Sequence, residues 1–149
     1  MMSKTILLVE DNPDDEALTL RALRKNNILN EVTVARDGAQ ALEYLFPDDG
    51  SDTPAPGLIL LDLNLPKVDG LDVLRRIQAD ERTRIIPVVV LTSSKLDDDI
   101  LASYQNGANG YVRKPVRFSE FAQAVSTLGM FWLLLNEPAP ELAPHRIRE

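Results

Sequence analysis

The feature that most limits the fold of this chain is a set of short, uninterrupted apolar runs at residues 5–9, 58–61 and 88–91. Strands that are apolar throughout, instead of alternating, are typical of a parallel sheet buried on both faces. Two weaker strands are predicted at 31–35, near a sheet edge, and at 110–113. Because a helical pattern follows every strand, the sequence predicts an α/β fold with a doubly wound parallel sheet.

The helices are predicted from apolar residues that recur at three- and four-residue spacing. They cover about 14–27, 38–46, 70–80, 97–105 and 117–136, which gives one domain over 1–136. The long loop 47–57 and the tail 137–149 are rich in Pro, and the tail is expected to be disordered. The expected buried stripes are Ala17, Leu20 and Leu23; Ala39, Leu42 and Phe46; Leu71, Leu74 and Ile77; and Phe121, Val125, Leu128, Trp132 and Leu135.

Composition excludes several classes of function. The 149 residues include no Cys, so disulfides, thiolate metal sites and Cys nucleophiles are ruled out, and the one His, His145, lies in the tail. A net charge of -7 argues against direct binding of nucleic acid. Since the sequence shows neither a membrane span nor a signal sequence, a cytoplasmic protein is expected. Carboxylate, hydroxyl and Lys chemistry remains, with oxygen-ligated metals.

Acidic residues follow two of the predicted strands. Glu10 and Asp11 end the first strand and Asp62 ends the strand 58–61. Ligands of such sheets bind at the carboxyl ends of the strands, so these side chains should converge. Carboxylates at close range repel one another, and Mg²⁺ or Mn²⁺ would offset that cost. We therefore expect Asp11 and Asp62 to be metal ligands, Glu10 to reach the metal through water, and a backbone carbonyl near Asn64 to add an oxygen.

A nucleophilic function is open to Asp62, because a carboxylate can attack a phosphoryl group. Thr92 and Lys114 end two further strands and offer a hydroxyl and an ammonium donor for the charge that develops on the phosphoryl oxygens. Each of these residues alone is more often an ordinary turn or surface residue. Their joint occurrence at the strand ends makes that explanation improbable.

Together these segments resemble a response-regulator receiver domain, the phosphoacceptor half of two-component signalling. The matching motifs are at 8–12, 61–66 with Asp69-Gly70, 91–93 and 114–115, within a resemblance that covers about 4–135. The resemblance implies the flavodoxin-like strand order 2-1-3-4-5. It makes Asp62 the phosphoacceptor, Glu10 and Asp11 the metal pair, and Lys114 the phosphate-binding residue. It also implies a cis Lys114-Pro115 bond and a switch pair, Thr92 and Tyr111.

The segment 12–15, the long loop and the apolar last helix are similar to single-domain regulators that partner phytochromes. The resemblance therefore implies a sensor histidine kinase, such as a phytochrome, as the phosphoryl donor, and output by protein binding or by a phosphorelay. An enzyme in the usual sense is not expected, beyond slow dephosphorylation of the chain itself.

A homodimer is a separate expectation. Met130, Phe131 and Leu134 fall outside the buried stripe of the last helix, and exposed apolar surface marks interaction sites. The predicted dimer is twofold symmetric, through the fourth helix, the last strand and the fifth helix, with Phe131 and Leu134 near its centre. The alternative is that the Pro-rich tail folds back over these side chains.

Other functions stay open at this point. A degenerate receiver could act as a phosphorylation-independent adaptor, although the motif set is complete. A flavodoxin-like FMN carrier is disfavoured because acidic residues fill the loop 10–15 that would cradle the phosphate. A phosphatase with an Asp nucleophile usually has a second acid two residues later, where this chain has Asn64.

Overall fold

The computed structural model describes residues 5–25, 29–47, 55–92 and 97–113 of the chain. Strands and helices alternate in the described residues, which confirms the predicted class. The predicted fifth helix, the tail and most of the loop 47–57 lie outside them. None of the described helices is long and apolar enough to cross a membrane. The elements are β1 Ile6–Val9, α1 Pro13–Lys25, β2 Val32–Ala35, α2 Gly38–Leu45, β3 Leu58–Leu61, α3 Gly70–Ala79, β4 Val88–Thr92, α4 Asp97–Gln105 and β5 Gly110–Arg113.

The sheet has five parallel strands in the order β2-β1-β3-β4-β5. This is the flavodoxin-like order that the sequence predicted. Strand β2 lies at an edge, as expected, and three of its four residues are only half-buried. In the central strands β1 and β3, by contrast, every residue is buried. Their continuous apolar sequence is therefore explained by cover on both faces.

The core has two layers because successive side chains of a strand point to opposite faces. Leu7 and Val9 of β1 pack in one layer, with α2 and α3, while Ile6 and Leu8 pack in the other, with α1. All four side chains are at most 1% exposed. Burial of each side chain contributes about 1.5–3 kcal/mol to the stability of the fold, so β1 stabilises the sheet on which the site is built.

The helices confirm the predicted spacing, but some of the predicted faces are wrong. In α1 the buried residues are Thr19, Ala22 and Leu23, whereas Ala17 is exposed and Leu20 is half-buried. Thr19 can be buried because its hydroxyl donates to the backbone carbonyl of Asp15 at 2.9 Å. A polar residue whose hydrogen bond is made inside the helix fits an apolar interface, and a polarity pattern cannot show this.

Similar corrections apply to the next two helices. In α2 the buried residues are Gly38 and Ala41, and the predicted Ala39, Leu42 and Phe46 are half-buried. Phe46 lies just beyond the helix, where the Arg76 guanidinium covers its ring at 4.9 Å from the ring centre. In α3 the prediction of Leu74 and Ile77 is confirmed, Leu71 is half-buried, and the sequence analysis missed the buried Val73.

Capping side chains start the first three helices at the carboxyl edge of the sheet. The Asn12 side-chain oxygen Oδ1 accepts from the backbone N–H groups of Asp14 at 2.8 Å and Asp15 at 3.1 Å. Asp37 accepts from Gln40 N–H at the start of α2, and Asp69 from Leu71 N–H at the start of α3. Each cap satisfies an N–H that the helix leaves without an internal acceptor. These three helices therefore start at the edge of the sheet where ligands of such folds bind.

Candidate metal centre

The two acidic strand ends lie side by side because β1 and β3 are neighbours in register, with Val9 opposite Leu61. The backbone ladder continues one step past both strands. Glu10 N–H donates to the Ala35 carbonyl at 2.9 Å, and Asp62 N–H donates to the Val9 carbonyl at 3.0 Å. These bonds fix where both acidic side chains leave the sheet.

Glu10, Asp11 and Asp62 form one carboxylate cluster, in which an oxygen from each lies within 4.8 Å of the others. Glu10 is 1% exposed and Asp62 7% exposed, while Asp11 is exposed. The predicted convergence of these three carboxylates is confirmed. Crowded carboxylates partly shielded from water repel one another, which favours binding of a cation. An all-oxygen set with an exposed member suits Mg²⁺ or Mn²⁺, which keep water ligands, so this cluster fits such a metal.

The turn after β3 is held against the cluster. Asp62 Oδ1 accepts from Asn64 N–H at 3.1 Å, which keeps the Asn64 backbone beside the acid. Gly70 N–H donates to the Leu63 carbonyl at 3.0 Å and closes the turn onto α3. A Cβ on Gly70 would overlap the backbone oxygen of Asp62 and the Cα of Leu63. Only glycine therefore lets α3 start this close to Asp62. That the Asn64 carbonyl is a metal ligand stays a prediction.

One part of this turn is not predicted by the sequence. Lys67 has φ of 69°, a left-handed conformation that costs a residue with a Cβ about 1–2 kcal/mol. Its Nζ lies 3.6 Å from Oδ2 of Asp37, the residue that caps α2. An Asp directly before a helix is a recognisable cap pattern. Nothing in the sequence connects that Asp to Lys67, because they follow different strands.

The remaining predicted residues are placed less fully. Thr92 is the last residue of β4, the strand next to β3, and therefore ends at the same edge as Asp62. Tyr111 lies in β5, where its backbone pairs with Val90. Lys114, with the predicted cis bond to Pro115, follows β5 directly and lies outside the described residues, as do Phe131 and Leu134. Their predicted functions stay predictions.

Comparison with known families gives a match between residues 6–126 and the response regulator receiver domain. The chain belongs to the response regulator receiver family. Most of the chain takes part in this match, and the sheet order and the acidic cluster are in accord with it.

Two regulatory proteins have sequences similar to this chain over most of their length. The chain is 43% identical over 136 residues to the probable methanogenesis regulatory protein FilR2 of Methanothrix harundinacea, covering 91% of this chain and 88% of FilR2. It is 41% identical over 131 residues to the response regulator Rcp1 of Synechocystis, covering 87% of this chain and 89% of Rcp1.

Solved structures extend the comparison. The Mn²⁺-bound form of Rcp1 matches with a TM-score of 0.83 at 39% identity, over 93% of this chain and all (100%) of that one. The phosphorylated cyanobacterial phytochrome response regulator RcpA matches with a TM-score of 0.81 at 41% identity, over 92% of this chain and 99% of that one. The chain is thus a receiver similar to single-domain regulators of the phytochrome type.

Proposed function

We propose that this chain is a response regulator that accepts a phosphoryl group on Asp62 from a sensor histidine kinase, in a reaction that depends on Mg²⁺ or Mn²⁺. The observation that carries the proposal is the cluster of Glu10, Asp11 and Asp62, with carboxylate oxygens within 4.8 Å. One relative, Rcp1, has been solved with Mn²⁺ and another, RcpA, in a phosphorylated form, which supports both halves of the proposal.

In the proposed reaction an Asp62 carboxylate oxygen attacks the phosphorus of a phosphohistidine. The O–P bond forms as the P–N bond breaks, and the departing imidazole takes up a proton. Glu10 and Asp11, with Asp62 and the Asn64 carbonyl, would hold the divalent cation, which when bound neutralises charge on the phosphoryl oxygens. The Thr92 hydroxyl and the Lys114 ammonium would donate to the same oxygens. Slow loss of the group to water would return Asp62 to its free form.

Phosphorylation would be relayed through Thr92 and Tyr111. When the hydroxyl moves toward the phosphoryl group, the aromatic ring can turn inward, which alters the surface of α4 and β5. Thr92→Ala should still take up the phosphoryl group but respond weakly at that surface. Amide chemical shifts that change as much in the variant as in the parent would exclude this relay.

A phytochrome is the proposed form of the kinase, because RcpA is a phytochrome response regulator and Rcp1 is a comparably close relative. The proposal includes a cytoplasmic location, where such a kinase domain would meet its regulator. Incubation with radiolabelled ATP and candidate kinases tests it. Transfer from a phytochrome kinase should be faster than transfer from unrelated histidine kinases.

The decisive experiment uses a small phosphodonor, which avoids the need to know the kinase. The parent should gain one phosphoryl group per chain when Mg²⁺ is present, as measured by intact mass. In excess chelator it should gain none. Asp62→Asn should abolish labelling. Asp72→Asn, which alters an exposed acid of α3, is the matched control and should label like the parent. Undiminished labelling of Asp62→Asn would exclude the assignment, and a parent inert to every donor would favour a phosphorylation-independent adaptor.

We also propose a homodimer through α4, β5 and the fifth helix. Leu101 and Tyr104 are 57% and 50% exposed on α4, so one of the elements of the predicted dimer carries exposed apolar side chains. The mass in solution should fall to that of a monomer in Phe131→Glu/Leu134→Glu. Leu29→Glu alters an apolar residue that is 79% exposed elsewhere and should leave the dimer intact. A monomeric parent would refute the proposal.

A further inference from the structure

The turn between β3 and α3 contains an unusual backbone conformation. Among the described residues, Lys67 is the one non-glycine residue with positive φ, at 69°. Glycine takes this conformation without the steric cost that a Cβ brings, so a lysine here needs a compensating interaction. Its neighbour Val68 closes the turn, with its N–H donating to the Pro66 carbonyl at 2.8 Å.

One interaction that favours this conformation lies across the sheet edge, at the start of α2. Lys67 Nζ is 3.6 Å from Asp37 Oδ2, while Asp37 Oδ1 accepts from Gln40 N–H at 2.8 Å. The Asp37 side chain is 9% exposed and the Lys67 side chain 69% exposed. The buried carboxylate that caps α2 thus lies beside an exposed cation from the turn after β3.

A second contact joins the same two segments. A Cβ built on Gly38, the first residue of α2, would overlap the backbone oxygen of Val68. Val68 also packs against the core layer under α2 and α3. The turn that begins at Asp62 is therefore docked on α2 by both its backbone and the Lys67 side chain.

We propose that Lys67 and Asp37 are positioning residues for the metal centre. Their ion pair holds the turn 62–69 against α2 and so keeps the Asn64 backbone beside Asp62, where the hydrogen bond from Asn64 N–H to Asp62 Oδ1 is 3.1 Å. This inference rests on the proposed function, because metal binding at Glu10, Asp11 and Asp62 is what the pair would assist. Partners that orient metal ligands generally affect metal affinity.

The test compares Mg²⁺ dissociation constants, measured by titration calorimetry, in Lys67→Met and Asp37→Asn. Asn retains the helix cap, and Met retains most of the length of Lys. Each variant should bind Mg²⁺ about threefold more weakly, the size expected when a partly exposed ion pair is lost. The double variant should be no weaker than either single variant, and Lys67→Arg should bind like the parent.

The two single changes alter the charge in opposite senses, which separates positioning from simple electrostatics. If only the field at the cluster mattered, loss of the Lys67 cation would tighten Mg²⁺ binding and loss of the Asp37 charge would weaken it. Positioning predicts weaker binding in both. Arg75→Met and Asp72→Asn remove the same charges from an exposed pair on α3 and should leave the affinity unchanged. Opposite shifts in the two test variants would overturn the inference.

Asp11→Asn separates this inference from the proposed function. If the parent binds Mg²⁺ and Asp11→Asn does not, the centre is real, and parental affinity in Lys67→Met and Asp37→Asn then overturns only the positioning inference. If the parent itself does not bind Mg²⁺, both are overturned. Urea unfolding without metal provides the structural control. Weaker binding by a variant that remains fully folded supports positioning, because a change in global stability alone would not alter the affinity of the folded protein.

Discussion

Helix α3 and the carboxyl edge of the sheet both carry acidic residues, but these residues have different surroundings. In the first turn of α3, Asp72 Oδ1 lies 2.5 Å from Arg75 Nη1, and at the C-terminal end of the helix Asp80 Oδ1 accepts from Arg82 N–H at 2.8 Å. At the sheet edge, carboxylate oxygens of three acids lie within 4.8 Å of one another. In the first arrangement each acid lies beside an arginine, and in the second three carboxylates lie close to one another.

The difference separates residues that stabilise the fold from residues that bind. Acids with arginine partners contribute modestly to the free energy of unfolding. Clustered acids cost free energy in the absence of a cation and recover it when one binds. A change in the first region should therefore alter stability with little effect on metal affinity. A change in the second should do the reverse.

The largest expected effect is that of Asp11→Asn on metal binding. Loss of a ligand should weaken Mg²⁺ binding by about a hundredfold, at the upper end of what changes around metal sites cause. The parent should gain about 1.4 kcal/mol of stability when Mg²⁺ is at ten times its dissociation constant, and the variant should gain none at that concentration. Urea unfolding with and without Mg²⁺ measures both effects.

Without metal, Asp11→Asn should be at least as stable as the parent, because one of the crowded charges is gone. Asp72→Asn is the matched control from the other region and should bind Mg²⁺ normally. A metal-free Asp11→Asn that is clearly less stable than the parent, with unchanged affinity, would show that the cluster is structural and would remove the contrast between the regions.

Gly70→Ala should have an intermediate effect and should affect both properties. The new Cβ would overlap backbone atoms of Asp62 and Leu63, so the start of α3 or the turn after β3 must shift. We expect a loss of about 2 kcal/mol in unfolding free energy, within the usual range for overpacking. Since Asp62 would move, Mg²⁺ binding should weaken as well. Parental stability and affinity would show that the turn adjusts freely, contrary to its close packing.

The fold and the cluster could be predicted because both follow from strong, local patterns. Strands β1 and β3 are apolar at every position, which is typical only of strands buried on both faces. Once the sheet is parallel, residues that follow its strands must meet at one edge. The convergence of Glu10, Asp11 and Asp62 could therefore be predicted without any knowledge of tertiary contacts. The order of the motifs predicted the family.

The errors arose where tertiary contacts override local preference. The pattern predicts Ala17 on the buried face of α1, but Thr19 is buried instead, and its hydroxyl is satisfied by a bond to the helix backbone. The pair of Lys67 and Asp37 depends on two loops that only the folded sheet brings together. A positive φ at a lysine is likewise invisible in sequence, because glycine is the residue that normally indicates it.

The smallest expected effect is the pH dependence contributed by Asp80, at the end of α3. The N–H of Arg82, followed by the Arg82 guanidinium and the charge of Arg76, holds the pKa of the Asp80 carboxyl below its ordinary value of 3.8. Because the folded state lowers this pKa, the ionised carboxylate stabilises the protein above pH 3.8, and the contribution is lost as the pH falls through the folded pKa.

Asp80→Asn keeps an oxygen that can accept from Arg82 N–H but removes the charge. It should cost about 0.5 kcal/mol at pH 7, as for other partly exposed ion pairs. In urea unfolding of parent and variant across pH, that difference should stay constant down to the ordinary pKa and shrink at lower pH, while the Mg²⁺ affinity at pH 7 stays parental. A difference that does not change with pH would mean that the Asp80 charge contributes nothing to the free energy of unfolding. Weaker Mg²⁺ binding would mean that the end of α3 and the sheet edge are not independent.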